Sequence, residues 1–433
     1  MFRLKEYNTN AKTELTAGMT TFLAMVYIIV VNPKILHDAG VPVDQVFMAT
    51  IISAVVGTLW MALCANYPIA IAPGMGLNAF FTYSVVLGSN GKMDYLTAFS
   101  SVFVAGIVFI ILSLTPLRAK LITAIPENIK RSITAGIGLF IAFLGLRSGD
   151  VIVKSDDSTL VALGDLSSAN ALLTLVGLAI TVILMVRNIQ GSLFIGMVIT
   201  GIIAILTGQL KIHHVVALPH LPKGILVWNP IEAFSNVIHY GLYGVVFSFI
   251  LVTLFDTTGT LVGVMKQAGL MKGNELPRAR KALLADSLGT IVGSMFGTSP
   301  TTAFVESSAG VAAGGRTGLT SLTVAVFFII ASFFGPLVTA VSDVSAITSP
   351  ALVIVGTLMI SSVKEIDWHS FDEAFPAFLI ILIMPLTSSI STGIAFGFIS
   401  YPILKIVKGD AKKVHPLLYL FAILFAIQLI FLQ

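Results

Sequence analysis

AIAPGMGLNAFF at residues 70–81 and FGTSPTTAFVESSAG at residues 296–310 decide how this chain folds. Both are short apolar segments that open with Pro and Gly and carry one strongly polar side chain, Asn78 in the first and Glu306 in the second. Proline lacks the N–H of the helix ladder and glycine weakens it, so the backbone at Pro73 and Pro300 is expected to leave the helix for a few residues. Such backbone survives inside a bilayer only where protein or a water-filled cavity satisfies it. Two kinked, tightly packed helices are the plainer alternative, and the paired occurrence favours a site.

That these segments lie in a bilayer follows from composition. Hydrophobic residues make up 56% of the 433 and charged residues 11%, against about 25% charged in soluble domains. Mean hydropathy is +0.97. The single cysteine, Cys64, excludes an internal disulfide and a Cys-rich metal site. A spanning helix needs about 20 apolar residues. Windows of that kind fall at 14–32, 46–65, 69–86, 95–115, 131–147, 169–187 and 192–209. A second set falls at 241–265, 281–297, 300–313, 319–341, 346–363, 374–389 and 390–407. Residues 374–407 also read as one tilted hairpin, and 415–432 as a segment that spans, re-enters or lies on the surface.

Placing the N-terminus inside puts 19 of the 25 Lys and Arg on the cytoplasmic side, the bias expected of a multi-pass protein. The net charge of +4 therefore reports topology; no basic patch is interleaved with aromatics as nucleic-acid binding requires. Seven segments before Tyr240 and seven after it force opposite orientations on the two halves. Inverted repeats of this kind place a substrate site at mid-membrane where the halves meet. Pro73 and Pro300 each lie 59 residues after the start of their half, at 14 and 241. The fold class expected is thus an all-α polytopic membrane protein of about 14 transmembrane segments, a 7+7 inverted repeat broken at segments 3 and 10.

Four acidic residues fall inside spans: Glu14, Asp256, Asp286 and Glu306. A carboxylate at mid-membrane costs about 2.5–3.5 kcal/mol even on the lenient insertion scale. Glu14 begins the first span and reads as an interfacial residue favouring its own helix N-terminus. Asp286, one turn after Arg278, Arg280 and Lys281, reads as a structural partner or cap. Asp256, in GVVFSFILVTLFDTTGTLVGV (244–264), and Glu306 have no cation nearby in sequence. Burial without a cation favours the protonated form, which donates as well as accepts hydrogen bonds and suits a planar heterocycle. Asn78 adds a neutral donor and acceptor, and Phe80 and Phe304 are candidates to stack on such a ring. Helix stitching by these polar groups is the competing reading.

The seven histidines lie in loops or at span edges, and there is no HExxH. Nothing resembles a Gly-Asp partner motif for aspartyl proteolysis or the GxxxxGK[ST] phosphate cradle. A membrane enzyme, a metal and a cofactor are therefore not expected. An ion gradient remains as the energy source, H+ rather than Na+ because the carboxylates titrate and lack a cage of oxygen ligands.

TAGMTTFLAMVYIIVVNP at 16–33, APGMGLNAFF at 72–81, FDTTGTL at 255–261 and GTSPTTAFVESSAGVAAGGRTG at 297–318 resemble the AzgA-like purine permeases, relatives of the uracil and xanthine permeases. The resemblance runs over nearly the whole chain. It implies a core domain (14–115 and 241–341) and a gate domain (128–209 and 346–433), with a short strand in each of spans 3 and 10. It further implies H+ symport by an elevator-like movement, commonly as a homodimer, in the cell membrane. By the resemblance, Asp256 matches the acidic residue of span 8 that contacts the base, and Thr260 falls where the uracil permease has a histidine. Glu306 matches the acidic residue of span 10, with spacing about one residue different, and Asn78 a functional polar residue of span 3. Ser307-Ser308 replace the Asn-Gly pair of the xanthine branch, which points to adenine, guanine or hypoxanthine. An anion transporter on the same fold is the alternative, although Asp256 and Glu306 would place negative charge beside the anion. Core and gate are expected to join at 116–130 and at the 342–346 turn, with breaks at Thr115-Pro116, Pro126-Glu127 and Ile347-Thr348-Ser349-Pro350.

Overall fold

The computed structural model describes residues 2–89, 91, 93–115, 124–155, 161–221, 229–239, 242–271 and 276–431. Helices α1 (Ala11–Met25) and α2 (Ile28–His37) form one kinked rod, followed by α3 (Val43–Trp60), strand β1 (Ile71–Pro73), α4 (Met75–Ala79) and α5 (Tyr95–Leu114). Next come α6 (Glu127–Ser148), the paired strands β2 (Ile152–Lys154) and β3 (Val161–Leu163), α7 (Ala169–Val186) and α8 (Ser192–Leu206). The second half holds α9 (Ala233–His239), α10 (Tyr243–Gln267), α11 (Ala279–Phe296), β4 (Thr301–Ala303), α12 (Ser307–Ala312), α13 (Gly318–Ala331) and α14 (Gly335–Ser342). The chain closes with α15 (Ser345–Ile360), α16 (Phe371–Thr387), α17 (Ile390–Val407) and α18 (Pro416–Phe431).

Among the described residues, nine helical stretches are long and apolar enough to cross a bilayer. The segments read at 192–209, 281–297, 374–389 and 415–432 are helices too (α8, α11, α16 and α18) but fall outside that set. Side chains supply what the helix starts need: Asn10, Asp94, Ser168 and Ser389 each accept the backbone N–H three residues on. Residues 374–407 form two helices packed on each other, with Ser388 turning the chain between them in the left-handed region at φ 50°.

The third and tenth segments break as their prolines require. β1 and β4 pair antiparallel, Ile71 opposite Ala303 and Pro73 opposite Thr301. The Gly74 N–H donates to Pro300 O and the Phe304 N–H to Ala70 O, each at 3.0 Å. All six strand residues are buried, so the outer edges of this ribbon cannot be left to water. Helix hydroxyls close them. Thr58 bonds Ile71, Thr290 accepts the Thr301 N–H at 3.0 Å, and Ser321 donates to the Tyr67 and Ile69 carbonyls at 2.6 and 2.9 Å.

α3, α10 and α11 pack against the ribbon, with α5 and α13 packed on those helices and α1 on α13, while α6, α7, α8, α15, α16 and α17 pack chiefly on one another. The α6–α15 contact needs glycine: a Cβ on Gly356 would stand 2.4 Å from the Gly138 carbonyl oxygen, and one on Gly138 2.8 Å from that of Gly356.

Two expectations need correction, those for Glu14 and for the break at Ile347-Thr348-Ser349-Pro350. Glu14 is fully buried and serves another helix: its carboxylate accepts from the Arg316, Thr317 and Thr320 N–H groups and the Thr320 hydroxyl, at the start of α13. Asp286 is buried and bonded by the Thr257 and Thr301 hydroxyls, from α10 and β4. The break between α14 and α15 falls at Asp343–Val344, and Pro350 lies inside α15. The Thr348 and Ser349 hydroxyls donate to the Ser345 carbonyl there. Of the 116–130 link, residues 116–123 lie outside the described residues.

Asp372 and Lys405, 7% and 8% exposed, bond each other at 2.5 Å between α16 and α17. Lys405 also meets Glu373 at 2.6 Å, and Asn128 of α6 donates to the same Glu373. Removing Lys405 leaves Glu373 without its cation, whereas Asp372 keeps Lys408 at 2.5 Å; breaking a buried pair costs about 3–5 kcal/mol where the partner charge is left alone. Lys405→Met is therefore expected to lower the thermal unfolding midpoint in detergent clearly. Lys413→Met, which breaks the exposed pair with Asp410, should leave it within error.

Candidate functional site

A mid-helix carboxylate can face a site only if its helix passes one. α10 carries Asp256 at the centre of its 25 residues and crosses beside β4. The Thr302 hydroxyl of that strand lies beside the Asp256 carboxyl. Beyond Ala303 the chain turns through Phe304 and Val305, and Glu306 sits at the entry of α12. No Lys, Arg or His pairs with Asp256 or Glu306 among the described residues.

Both carboxylates line one cavity of about 620 Å³. One wall is the ribbon and its neighbours: Tyr27, Met75, Gly76, Asp256, Thr260 and Thr302–Glu306. The facing wall comes from the other helix group: Thr134 of α6, the 189–193 turn with Gln190, and Val355 to Glu365 at the end of α15. The cavity reaches an open rim there, since the Glu365 side chain is 63% exposed.

The structure gathers four of the six residues singled out from the sequence, Asp256, Thr260, Phe304 and Glu306, on this wall. The other two lie one layer behind it. Asn78 is fully buried, its carbonyl accepting the Ser299 hydroxyl, and its amide nitrogen has no hydrogen-bond partner among the described residues. Phe80 meets Phe249 edge to face, ring centres 4.9 Å apart.

Sequence reasoning passed over Tyr27 and Thr302. Tyr27 donates its hydroxyl to Glu306 Oε1 at 2.6 Å from the kink between α1 and α2. The signal available was a single tyrosine inside the first apolar run, 14–32. Thr302 gave no signal, because only the strand pairing puts it beside Asp256.

The Permease family model (Xan_ur_permease) matches residues 12–396. The chain belongs to that family and is a multi-pass membrane transport protein, not an enzyme. It is 65% identical over 433 residues to the guanine/hypoxanthine permease PbuO of Bacillus subtilis, covering 100% of each chain. To the adenine permease AdeQ of Escherichia coli it is 41% identical, covering 99% of this chain and 95% of the other. Among solved structures, the transmembrane domain of a cyanobacterium bicarbonate transporter, BicA, superposes with a TM-score of 0.66 at 18% identity. That match covers 88% of this chain and 97% of that one, so the two share a fold.

Two carboxylates without a cation in a shared cavity should be indispensable to transport. Asp256→Asn and Glu306→Gln keep shape but lose the titratable proton, and each is expected to abolish uptake in whole cells while immunoblots show normal membrane levels. Wild-type rates for both would make the carboxylates structural.

Proposed function

We propose that the chain imports guanine or hypoxanthine across the cell membrane by H+ symport. The observation that carries this reading is the pair of cation-free carboxylates, Asp256 and Glu306, on one wall of a cavity that also presents Thr260, Thr302 and Phe304. A 6-oxopurine shows an N1–H donor beside a carbonyl acceptor, and guanine adds an amino donor. A carboxyl oxygen accepts the donors, a threonine hydroxyl donates to the carbonyl, and the Phe304 ring supplies an apolar face. The relative at 65% identity, a guanine/hypoxanthine permease, supports the same substrates. Adenine, named for a relative at 41%, offers a bare N1 acceptor and needs a protonated carboxyl opposite it.

Coupling follows from the same groups in this reading. A carboxyl that gains a proton outside and loses it inside carries one H+ per cycle without any metal or nucleotide. The ribbon with α1–α5 and α10–α14 forms the core, 14–115 and 241–341. The gate is 128–209 and 346–433, and the fourteen segments form a 7+7 inverted repeat. The packing of the two helix groups supports this division. With the N-terminus cytoplasmic, the rim at Gln190 and Glu365 is cytoplasmic, and the conformation is inward-open. A homodimer through the gate completes the proposal.

The anion-transport alternative draws on the fold shared with a bicarbonate transporter. The two carboxylates oppose it, since like charge at the site would repel the solute.

Uptake of radiolabelled guanine, hypoxanthine and adenine into cells lacking their own permeases, with and without a protonophore, tests the proposal. Guanine and hypoxanthine uptake that collapses with the proton gradient is expected; uptake indifferent to it would overturn H+ coupling. Paired cysteines joining the β4 segment to α6 or α15, made in a Cys64→Ala background, should block uptake reversibly on oxidation. Pairs confined to the core should not. The reverse pattern would overturn the rigid-core movement.

A further inference from the structure

We propose that Tyr27 is a positioning residue that sets the base preference of the site, holding one oxygen of the Glu306 carboxyl so that the other faces the ring edge of the substrate. The inference rests on the reading of this cavity as a purine site. The contact is short, 2.6 Å from the Tyr27 hydroxyl to Glu306 Oε1, within the range of strong O–H···O− bonds. Among the described residues it is the one side-chain hydrogen bond that Glu306 receives.

The two partners differ in freedom. Glu306 stands at the entry of the six-residue helix α12, next to a Val305 that is 55% exposed, with three rotatable side-chain bonds and an open cavity in front. Tyr27 is 1% exposed and has a rigid ring. Its backbone is held at the kink, where the Ile29 N–H reaches Val26 O, and the Val30 and Val31 N–H groups both reach Tyr27 O. The ionisable groups facing its hydroxyl are Glu306 of α12 and Asp256 of α10, and both line the same cavity. The fixed phenol therefore orients the mobile carboxyl, and not the reverse.

A carboxyl has two oxygens, and the phenol occupies Oε1. Oε2 is then the atom available to the substrate, and with Glu306 ionised it accepts. An oxygen fixed in direction selects a base by the hydrogen-bond sense of its edge: N1–H of hypoxanthine or guanine matches an accepting Oε2, whereas the bare N1 of adenine does not. Without the phenol, Glu306 turns freely and can adapt to either edge. A donor and acceptor mismatched in a buried site cost tenfold or more in affinity, by the usual penalty for an unpaired group.

Tyr27→Phe removes the hydroxyl and keeps the ring. In hypoxanthine uptake it is expected to raise KM about tenfold with Vmax within about twofold, and to narrow the preference for hypoxanthine over competing adenine by a similar factor. Calorimetry of the purified variant in detergent, titrated with hypoxanthine and with adenine, should show the same narrowing in Kd and reads only folded protein. Unchanged KM and unchanged preference, or a fall in Vmax alone, would overturn the inference and leave Tyr27 as packing. Wild-type protein that takes up no purine would instead overturn the substrate reading, so the two failures are distinguishable.

Discussion

Six strand residues buried inside an apolar bundle impose the constraint on which this structure depends. Each carries backbone groups that lipid cannot bond, and a two-stranded ribbon has two open edges. The chain meets the demand with hydroxyls: Thr58 from α3, Thr257 from α10, Thr290 from α11 and Ser321 from α13 each bond the ribbon or its approach. The surrounding helices are thereby tied to the strands at defined heights. Thr257 and Thr301 then pass the link to Asp286, which joins α10, α11 and β4. A serine or threonine in a spanning helix of this protein is less a concession to polarity than a fastening for irregular backbone.

The same constraint places the site. Because α10 must run against β4 for Thr257 to reach it, the preceding residue, Asp256, comes beside Thr302 and faces the cavity. Because the ribbon ends at Ala303, the chain turns at once and delivers Glu306 to the same wall. Across the molecule Glu14 closes the opposite side of this unit, accepting three N–H groups and one hydroxyl at the start of α13 from α1. Carboxylates here fall into two kinds. Glu14 and Asp286 have donors at both oxygens and act as joints, whereas Asp256 and Glu306 keep capacity toward the cavity.

That distinction explains what could be read in the sequence. Pro73 and Pro300 announced the broken segments because a missing N–H is a property of the residue itself. The isolation of Asp256 and Glu306 from cations was legible for a similar reason. The roles of Glu14 and Asp286 were not, since their donors lie 302 to 306 and 15 to 29 positions away along the chain. The pair of Asp372 with Lys405 escaped because each sits near a helix end, where a charged residue ordinarily means solvent. Pro350 misled in the opposite direction: it lies inside α15, and the helix continues through it. Tyr27 and Thr302 are functional neighbours only through the strand pairing and the kink, neither of which has a local period.

A ribbon fastened at so many points has a further consequence for movement. Opening the site by bending near β1 or β4 would strip buried N–H and carbonyl groups of their partners, each at a cost comparable to a lost buried hydrogen bond. The far wall of the cavity is built differently. Thr134, Gln190 and the Val355–Glu365 stretch meet the ribbon side with few hydrogen bonds between them; Thr20 to Gln190 at 3.4 Å is a long one. Within that second group the fastening is again tight, by the glycine contact of α6 with α15 and the Lys405 network. In the proposed core and gate, two groups fastened within themselves meet across this cavity, an arrangement that favours sliding of one against the other over local gating. The proposed alternating access therefore has its least costly route along the cavity itself, with Asp256, Glu306 and the bound base carried as one piece with the ribbon.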